Sequence, residues 1–214
     1  MQKKPPRRTR ERILETALRL FNEFGEPGVP TTAIADEMNI SPGNLYYHFH
    51  SKEKIVEALF TAFREEIEQT LAAPESRPPN AEDVWLYLHL VFEAIHKYRF
   101  VYRDINDLLS RHRMLENQFK RILAHKKRTA TAILEGLVQQ GAMKAGPMDV
   151  EALAVNMTVL ATYWLSYEFA LNPRAREENR ALARGAFQVI SLAAPYLAPR
   201  ERALFDELAQ RYLQ

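Results

Sequence analysis

The sequence predicts an all-α protein with a small N-terminal helical domain and a larger C-terminal helical domain. Of its 214 residues, 47% are hydrophobic and 26% are charged, which is typical of a globular chain with ample material for a core. Apolar residues recur every three or four positions in successive segments, which is the spacing of amphipathic helices. Glycine and proline separate those segments, most densely in the linker-like stretch PESRPPN at 74–80.

The first predicted helix covers residues 9–24 and is expected to support the next segment from behind. Its apolar side chains form one broad stripe along the helix. Gly25 follows that stripe, and glycine commonly ends a helix because it readily adopts the left-handed conformation.

Residues 31–54, TTAIADEMNISPGNLYYHFHSKEK, predict two short helices, a tight turn and the start of a third helix. The two threonines that open the stretch can cap the first helix, since a hydroxyl there accepts a free amide proton. Asn39 tolerates the left-handed conformation that the turn requires. Ser41 and Pro42 then restart a helix, because serine is a favoured N-cap and proline a favoured first helical residue.

The second short helix, residues 42–49, carries the side chains that indicate a binding partner. Leu45 and Phe49 lie on one face of this helix, whereas polar and aromatic side chains occupy the opposite face. A helix of this length fits the major groove of DNA, and Gly43 lets its N-terminus approach a phosphate. The alternative is that the rings pack against neighbouring helices. The residues predicted to contact DNA are Thr31, Thr32, Pro42, Gly43, Asn44, Tyr46, Tyr47, His48 and Lys52.

This stretch resembles the helix-turn-helix signature of the TetR/AcrR family of bacterial regulators. The matching residues are Thr32, Ile34, Ala35, Ile40, Ser41, Gly43, Leu45, Tyr46, His48, Phe49, Ser51, Lys52 and Glu53. Asn39 departs from the glycine that the family often has, although asparagine is the usual substitute at such a turn. The resemblance covers the chain to about residue 60. It implies a three-helix DNA-binding domain, dimerisation through the C-terminal helices, and repression of transcription.

Base and phosphate contacts are expected from different residues. Asn44 and Tyr47 are the candidates for base contacts, which specify sequence, and the remaining polar side chains are expected to hold phosphates, which position the protein. The N-terminal arm adds charge, because residues 1–12 carry six Lys or Arg against Glu11, and the remainder is 23 basic against 26 acidic. We expect this arm to be disordered until it meets DNA. A merely solubilising tail is the alternative.

The remaining helices predict a domain for ligand binding and dimerisation. Residues 1–50 form the predicted DNA-binding domain and residues 51–214 the second domain, with 51–71 as a connecting helix. Further helices are predicted at 81–98, 100–111, 114–140, 149–171, 181–197 and 199–213. The basic residues of the helix at 114–140, Lys126 among them, are interpreted as a solvated face.

A homodimer is predicted from the helices at 149–171 and 181–197. Residues 152–167 contain no charged side chain, and a helix that is apolar all round is buried on all sides or lies in a membrane. The uncharged run is short for a membrane span, and polar residues dilute it. The small residues of the helix at 181–197 permit close approach of another helix. A four-helix interface between two copies of the chain is therefore expected.

Large aromatic rings between residues 81 and 171 predict a pocket for a small hydrophobic effector. Ligand sites between helices are mostly apolar with a few polar groups. The predicted lining is Trp85, His89, Phe92, Tyr163 and Tyr167. Two alternatives are that the rings only fill a core, and that His89, Glu93 and His96, which share one side of a helix, hold a metal.

The chain contains no signal for catalysis. It has no cysteine, no glycine-rich phosphate loop and no Gly-x-Ser-x-Gly motif, so we expect neither an enzyme nor a cofactor. The absence of cysteine and of a signal peptide fits the cytoplasm. The preferred hypothesis is a dimeric regulator that binds a palindromic double-stranded DNA operator and is released by its effector. The alternatives are a helical hydrophobic-ligand binder or enzyme with a structural N-terminal unit, and a DNA-binding protein without an effector.

Overall fold

The computed structural model describes residues 6–72, 81–172 and 178–212, and these form helices joined by short connections. The α-helices are α1 (Pro6–Phe24), α2 (Thr31–Glu37), α3 (Pro42–His48), α4 (Lys52–Leu71), α5 (Ala81–Lys97), α6 (Arg99–Arg103), α7 (Ile105–Arg111), α8 (Arg113–Gln139), α9 (Pro147–Leu171), α10 (Glu178–Ser191) and α11 (Pro199–Tyr212). A 3-10 helix covers Ala194–Tyr196. No β-strand forms among the described residues, which confirms the all-α prediction.

The helices divide into two compact units that are interleaved along the chain. The first unit comprises Met1–Glu65 and Tyr98–Glu116, and the second comprises Glu66–Lys97 and Asn117–Gln214. The first unit therefore contains α1 to α3, most of α4, and the short helices α6 and α7.

Buried aromatic rings hold the first unit together. Phe21 of α1 packs against Phe100 of α6 with ring centroids 5.5 Å apart. Phe63 of α4 contacts Tyr102, also of α6, at 5.6 Å. Gly25 ends α1 at a φ of 82°, as predicted, and an added Cβ there would lie 2.2 Å from the Arg103 guanidinium. Because that guanidinium is the end of a flexible side chain and can move, the positive φ is what requires glycine at this position.

The second unit is organised around α10, which packs against α5 and α9. Gly185 permits this close packing, because an added Cβ would lie 2.5 Å from the Phe92 ring and 2.6 Å from the Trp164 ring. Ala186 is fully buried in the same cluster, and Ala193 is 3% exposed in a neighbouring one. The small residues of α10 thus serve packing within the chain, whereas the sequence suggested packing between two copies.

Several boundaries differ from the predictions for physical reasons. Helix α1 begins at Pro6, so part of the predicted disordered arm is helical, and residues 1–5 lie outside the described residues. Pro30 precedes α2 and no side chain caps that helix, so the expected threonine cap is wrong. The predicted helix at 100–111 is divided at Asp104. The predicted helix at 181–197 ends at Ser191, in keeping with Pro195, which cannot donate a backbone hydrogen bond.

Candidate nucleic-acid interface and ligand cavity

The turn between α2 and α3 is built by local backbone chemistry. Asn39 adopts a φ of 53°, which is the left-handed conformation predicted for it. The Ser41 hydroxyl accepts a hydrogen bond from the Asn44 backbone N–H at 3.2 Å, and Pro42 begins α3. Both predicted features of the turn are confirmed. The turn and cap therefore fix where α3 begins and how its side chains are distributed.

Helix α3 presents a buried face and an exposed face. Leu45 and Phe49 are 2% and 4% exposed, so they anchor the helix in the first unit. Tyr46 and Tyr47 are 60% and 76% exposed, respectively. This exposure argues against the alternative that these two rings pack against neighbouring helices. The residues Pro42, Gly43 and Asn44 are also exposed, and His48 is half-buried with its ring against Tyr47.

A shallow groove brings five of the nine predicted DNA-contacting residues together. The five are Thr31, Pro42, Gly43, Tyr46 and Lys52. His50 lines the same groove, and its ring centroid lies 5.4 Å from that of Tyr46. His50 was not among the predicted residues, although its position just beyond α3 was a usable signal. Thr32, Asn44, Tyr47 and His48 do not line the groove, and the first three of these are exposed.

The Lys52 ammonium points toward a buried carboxylate and not toward solvent. Its ammonium lies 3.0 Å from Oε1 of Glu26 and donates a hydrogen bond to the Glu26 carbonyl oxygen at 2.6 Å. Arg111 binds the other carboxylate oxygen of Glu26 at 2.6 Å, and hydrogen bonds to Asp107 and Glu26 raise its pKa. Glu26 thus joins the loop before α2 to the start of α4 and the end of α7.

A cavity of about 90 Å³ lies within the second unit. Of the five predicted ligand-contacting residues, only Trp85 lines it. Phe92 is fully buried in the core, and His89 faces Glu93 with its Nε2 atom 3.2 Å from Oε1. Tyr163 and Tyr167 are 45% and 54% exposed on α9. The sequence located the aromatic residues, but only the packing shows which faces of α5 and α9 turn toward the cavity.

Lys126 of α8 lines this cavity and was missed by the sequence interpretation. It is 5% exposed, so the prediction of a solvated face is wrong at this position. Burial lowers the pKa of Lys126 to about 7. A signal was present in the sequence, because Lys126 lies four residues after Ile122 and seven before Ile133. These spacings place the lysine on the apolar stripe of the helix.

An exposed apolar stripe follows one side of α9. Val155 is 40% exposed, Val159 is 52% exposed, and the two exposed tyrosines, Tyr163 and Tyr167, continue the stripe. Residues 155, 159, 163 and 167 are four apart, so they lie along one face of the helix. Such a patch on a protein surface is typical of an interaction site.

In residues 6–72, 81–172 and 178–212, no group of three or more His, Cys, Asp or Glu side chains is placed to hold a metal ion. No helix in those ranges has the length and hydropathy to span a membrane.

The chain is similar to bacterial transcription regulators over both of its parts. Residues 13–59 match the model described as bacterial regulatory proteins, tetR family, and residues 62–205 match the TetR model described as a bacterial transcriptional repressor. A solved TetR-family transcriptional regulator from Marinobacter aquaeolei VT8 is 31% identical with a TM-score of 0.86. That similarity covers 96% of this chain and 99% of that one.

Curated relatives align over shorter stretches. The probable HTH-type transcriptional regulator YttP of Bacillus subtilis is 30% identical over 45% of this chain and 50% of its own length. The tetracycline repressor protein class C of Escherichia coli is 28% identical over 44% of this chain and 41% of its own length. The chain thus spans half or less of these two relatives. The two family models and the full-length structural match together show that the chain belongs to the TetR family of bacterial transcriptional regulators.

Proposed function

We propose that this protein is a transcriptional repressor that binds duplex DNA through the exposed face of α3. The observation that carries the proposal is the pair of highly exposed rings, Tyr46 and Tyr47, on a helix whose other face is anchored in a core. A single α-helix fits the major groove, where base edges are read. The second candidate, a ligand-binding protein or enzyme with a structural N-terminal unit, does not account for two exposed tyrosines there.

Within α3, we assign base contacts to Asn44 and Tyr47 and phosphate contacts to Thr31, Thr32, Tyr46 and His48. Pro42 and Gly43 allow the start of the helix to approach the backbone of the duplex. Lys52 acts indirectly in this proposal, because its ammonium is bound to Glu26. It holds the start of α4 in place beside the groove.

Replacing Tyr47 with alanine tests whether the exposed face of α3 recognises the base sequence. We expect the variant to lose about 1–3 kcal/mol of discrimination between its operator and random duplex DNA, as for a good base contact. The operator is first selected from a genomic fragment library with the unaltered protein. Tyr46→Ala is the matched control, since loss of a phosphate contact weakens both kinds of DNA alike. Unchanged discrimination in Tyr47→Ala would show that α3 reads DNA through other residues.

We further propose that two copies pair through α9 and α10 and that the operator is palindromic. The exposed stripe Val155, Val159, Tyr163 and Tyr167 supports pairing through α9. The half-buried Phe187 of α10 stacks on Phe205 within the chain, so the exposed stripe of α9 carries most of this support. In a two-fold symmetric dimer bound to one side of the operator, the two α3 helices must enter successive major grooves. They must therefore lie about 34–36 Å apart, or a multiple of this distance, because the major groove repeats at that interval.

Replacing Val159 with glutamate tests the pairing surface. In a two-fold interface the two new carboxylates would lie in an apolar seam, where desolvated like charges oppose association. We expect sedimentation velocity to show folded monomers with weakened operator binding. Leu86→Glu is the control, because Leu86 is 60% exposed on α5, outside the proposed seam. If Val159→Glu stays dimeric at the concentration where the unaltered protein is dimeric, this surface is excluded.

An effector that binds in the second unit is proposed to release the DNA. The cavity supports this step, and one relative, the tetracycline repressor, bears the name of a small molecule. An effector acts only through its different affinities for the free and DNA-bound forms, and the coupling is reciprocal. Operator DNA must therefore weaken effector binding by the same factor. A DNA-binding protein without an effector would show no such coupling. We also propose that the protein works in the cytoplasm, where its DNA operator would lie.

A further inference from the structure

The cavity of the second unit has an almost wholly apolar surface. Helices α4, α5, α8, α9, α10 and α11 all contribute to its wall, which consists mainly of aliphatic side chains. Five side chains of the wall carry a polar group, namely Trp85, Tyr87, Lys126, Thr158 and Glu201. Almost no polar atom reaches the cavity surface, however. These side chains therefore present mainly their carbon atoms to the cavity.

The Tyr87 hydroxyl has a partner inside the protein. It forms a hydrogen bond with the side chain of Thr129, which is buried on α8. The Thr129 hydroxyl in turn donates to the Leu71 carbonyl oxygen at 3.1 Å, so the tyrosine is the donor toward Thr129. Burial raises the pKa of Tyr87, which keeps its hydroxyl neutral. The polar end of Tyr87 is thus engaged within the chain, and its ring is available to the cavity.

The polar groups of Thr158 and Lys126 also have partners within the chain. The Thr158 hydroxyl donates to the Ala154 carbonyl oxygen of α9 at 2.8 Å. Nζ of Lys126 lies 3.5 Å from Oγ1 of Thr162. A ligand that hydrogen bonds to these groups would share or displace contacts that the protein already makes, which limits what a polar ligand gains.

A charged ligand has little to gain from such a wall. On entering the cavity it would give up its hydration, and an apolar surface returns none of that free energy. The charged side chains of the wall also have opposite signs, so Lys126 opposes a cation and Glu201 opposes an anion. An uncharged apolar molecule, in contrast, gains free energy by leaving water.

We propose that the effector is an uncharged, compact hydrocarbon-like molecule, a single ring or a short chain, held in this cavity by apolar contacts. This inference rests on the proposed function, since it names the chemical class of the molecule that releases DNA. An apolar cavity of about 150 Å³ lined by aliphatic and aromatic side chains takes up benzene. With about 90 Å³, this cavity selects molecules of that size or smaller. Met157 lies in the wall, and its flexible side chain can adjust to a ring.

Three molecules of similar shape separate apolar from charged ligands. Toluene is uncharged, benzoate carries a negative charge and benzylammonium carries a positive charge, while all three contain one benzene ring. Each is titrated into the full-length protein, and calorimetry measures its affinity. We expect toluene to bind about tenfold or more tightly than either ion, because each ion must give up its hydration. An ion that binds as tightly as toluene, or an absence of toluene binding, would overturn the proposal.

Filling the cavity tests whether toluene binds there. Ala130 of α8 lines the cavity and is half-buried, so Ala130→Leu places a larger apolar side chain in the space for the ligand. Ala132→Leu is the matched control, since Ala132 is exposed on the same helix and does not line the cavity. We expect Ala130→Leu to lose toluene binding and Ala132→Leu to keep it. Unchanged binding in Ala130→Leu would locate the ligand elsewhere.

Enlarging the cavity provides a second, independent variant. Met157→Ala removes most of a side chain from the wall, so the variant should bind propylbenzene more tightly relative to toluene than the unaltered protein does. Met148→Ala is the control, because Met148 is 87% exposed on the same helix. It should leave the ratio of the two affinities unchanged. Circular dichroism checks folding, and this pair decides the assignment if Ala130→Leu does not fold. Equal ratios in both methionine variants would contradict the site.

Failure of this inference is distinguishable from failure of the proposed function. Toluene should release operator DNA from the unaltered protein and not from Ala130→Leu. Binding of toluene without release, or release from both proteins, would overturn the assignment of the effector. DNA binding by α3 is measured without toluene. A protein that binds toluene in the cavity but does not bind duplex DNA would refute the regulator proposal and leave the ligand class intact.

Discussion

Replacement of Ala186 with glutamate is expected to unfold the second unit. Ala186 is fully buried where α10 packs with α5 and α9, beside the glycine whose added Cβ would clash with Phe92 and Trp164. The longer side chain costs about 1–3 kcal/mol in overpacking. Burying its charge adds several kilocalories per mole more. These costs approach the whole stability of about 5–15 kcal/mol that a domain has.

Tryptophan fluorescence during urea unfolding measures this effect. Trp85 and Trp164 are the two tryptophans of the chain, and both belong to the second unit. Gln188→Glu is the matched control, because it introduces the same side chain at an exposed position on the same helix. The control should unfold at the urea concentration of the unaltered protein. A stable, folded Ala186→Glu would mean that α10 does not pack its small residues inward.

Replacement of Glu26 with glutamine is expected to destabilise the first unit. The Glu26 side chain is 2% exposed and neutralises both Lys52 and Arg111, so the variant leaves two cations facing an amide. Removing one partner of a buried ion pair costs about 3–5 kcal/mol. We expect the lower end of that range, because the Arg111 side chain is 41% exposed and its charge retains access to water.

The matched control is Glu23→Gln, which removes an exposed carboxylate 3.6 Å from Arg19. Circular dichroism should show a lower thermal midpoint for Glu26→Gln and almost none of that shift for Glu23→Gln. Arg111→Gln should cost less than Glu26→Gln, because Lys52 still neutralises the carboxylate. For Glu26→Gln, the thermal midpoint measured by tryptophan fluorescence should fall less than the midpoint measured by circular dichroism, since both tryptophans lie in the second unit. Equal midpoints for the Glu26 and Glu23 variants would contradict a structural role for this contact.

Local interactions made several features of the first unit predictable. The left-handed Asn39, the Ser41 cap and the Pro42 start all follow from backbone preferences within a few residues. The exposure of Tyr47 and the burial of Leu45 follow from helical periodicity alone. The family signature depends on this same local stretch.

The sequence by itself determined the helical class, the helix-turn-helix and the family, because periodicity, capping and turn chemistry act between near neighbours. Only the tertiary structure decided which faces meet. It buries Lys126, brings Glu26 to Lys52 and Arg111, and turns Tyr163 and Tyr167 outward. The reason is physical, since burial depends on helices far apart in the chain and a rotation of α9 about its axis changes which residues face the cavity. Because α9 has apolar residues on all sides, its sequence does not indicate which of its faces turns toward the cavity.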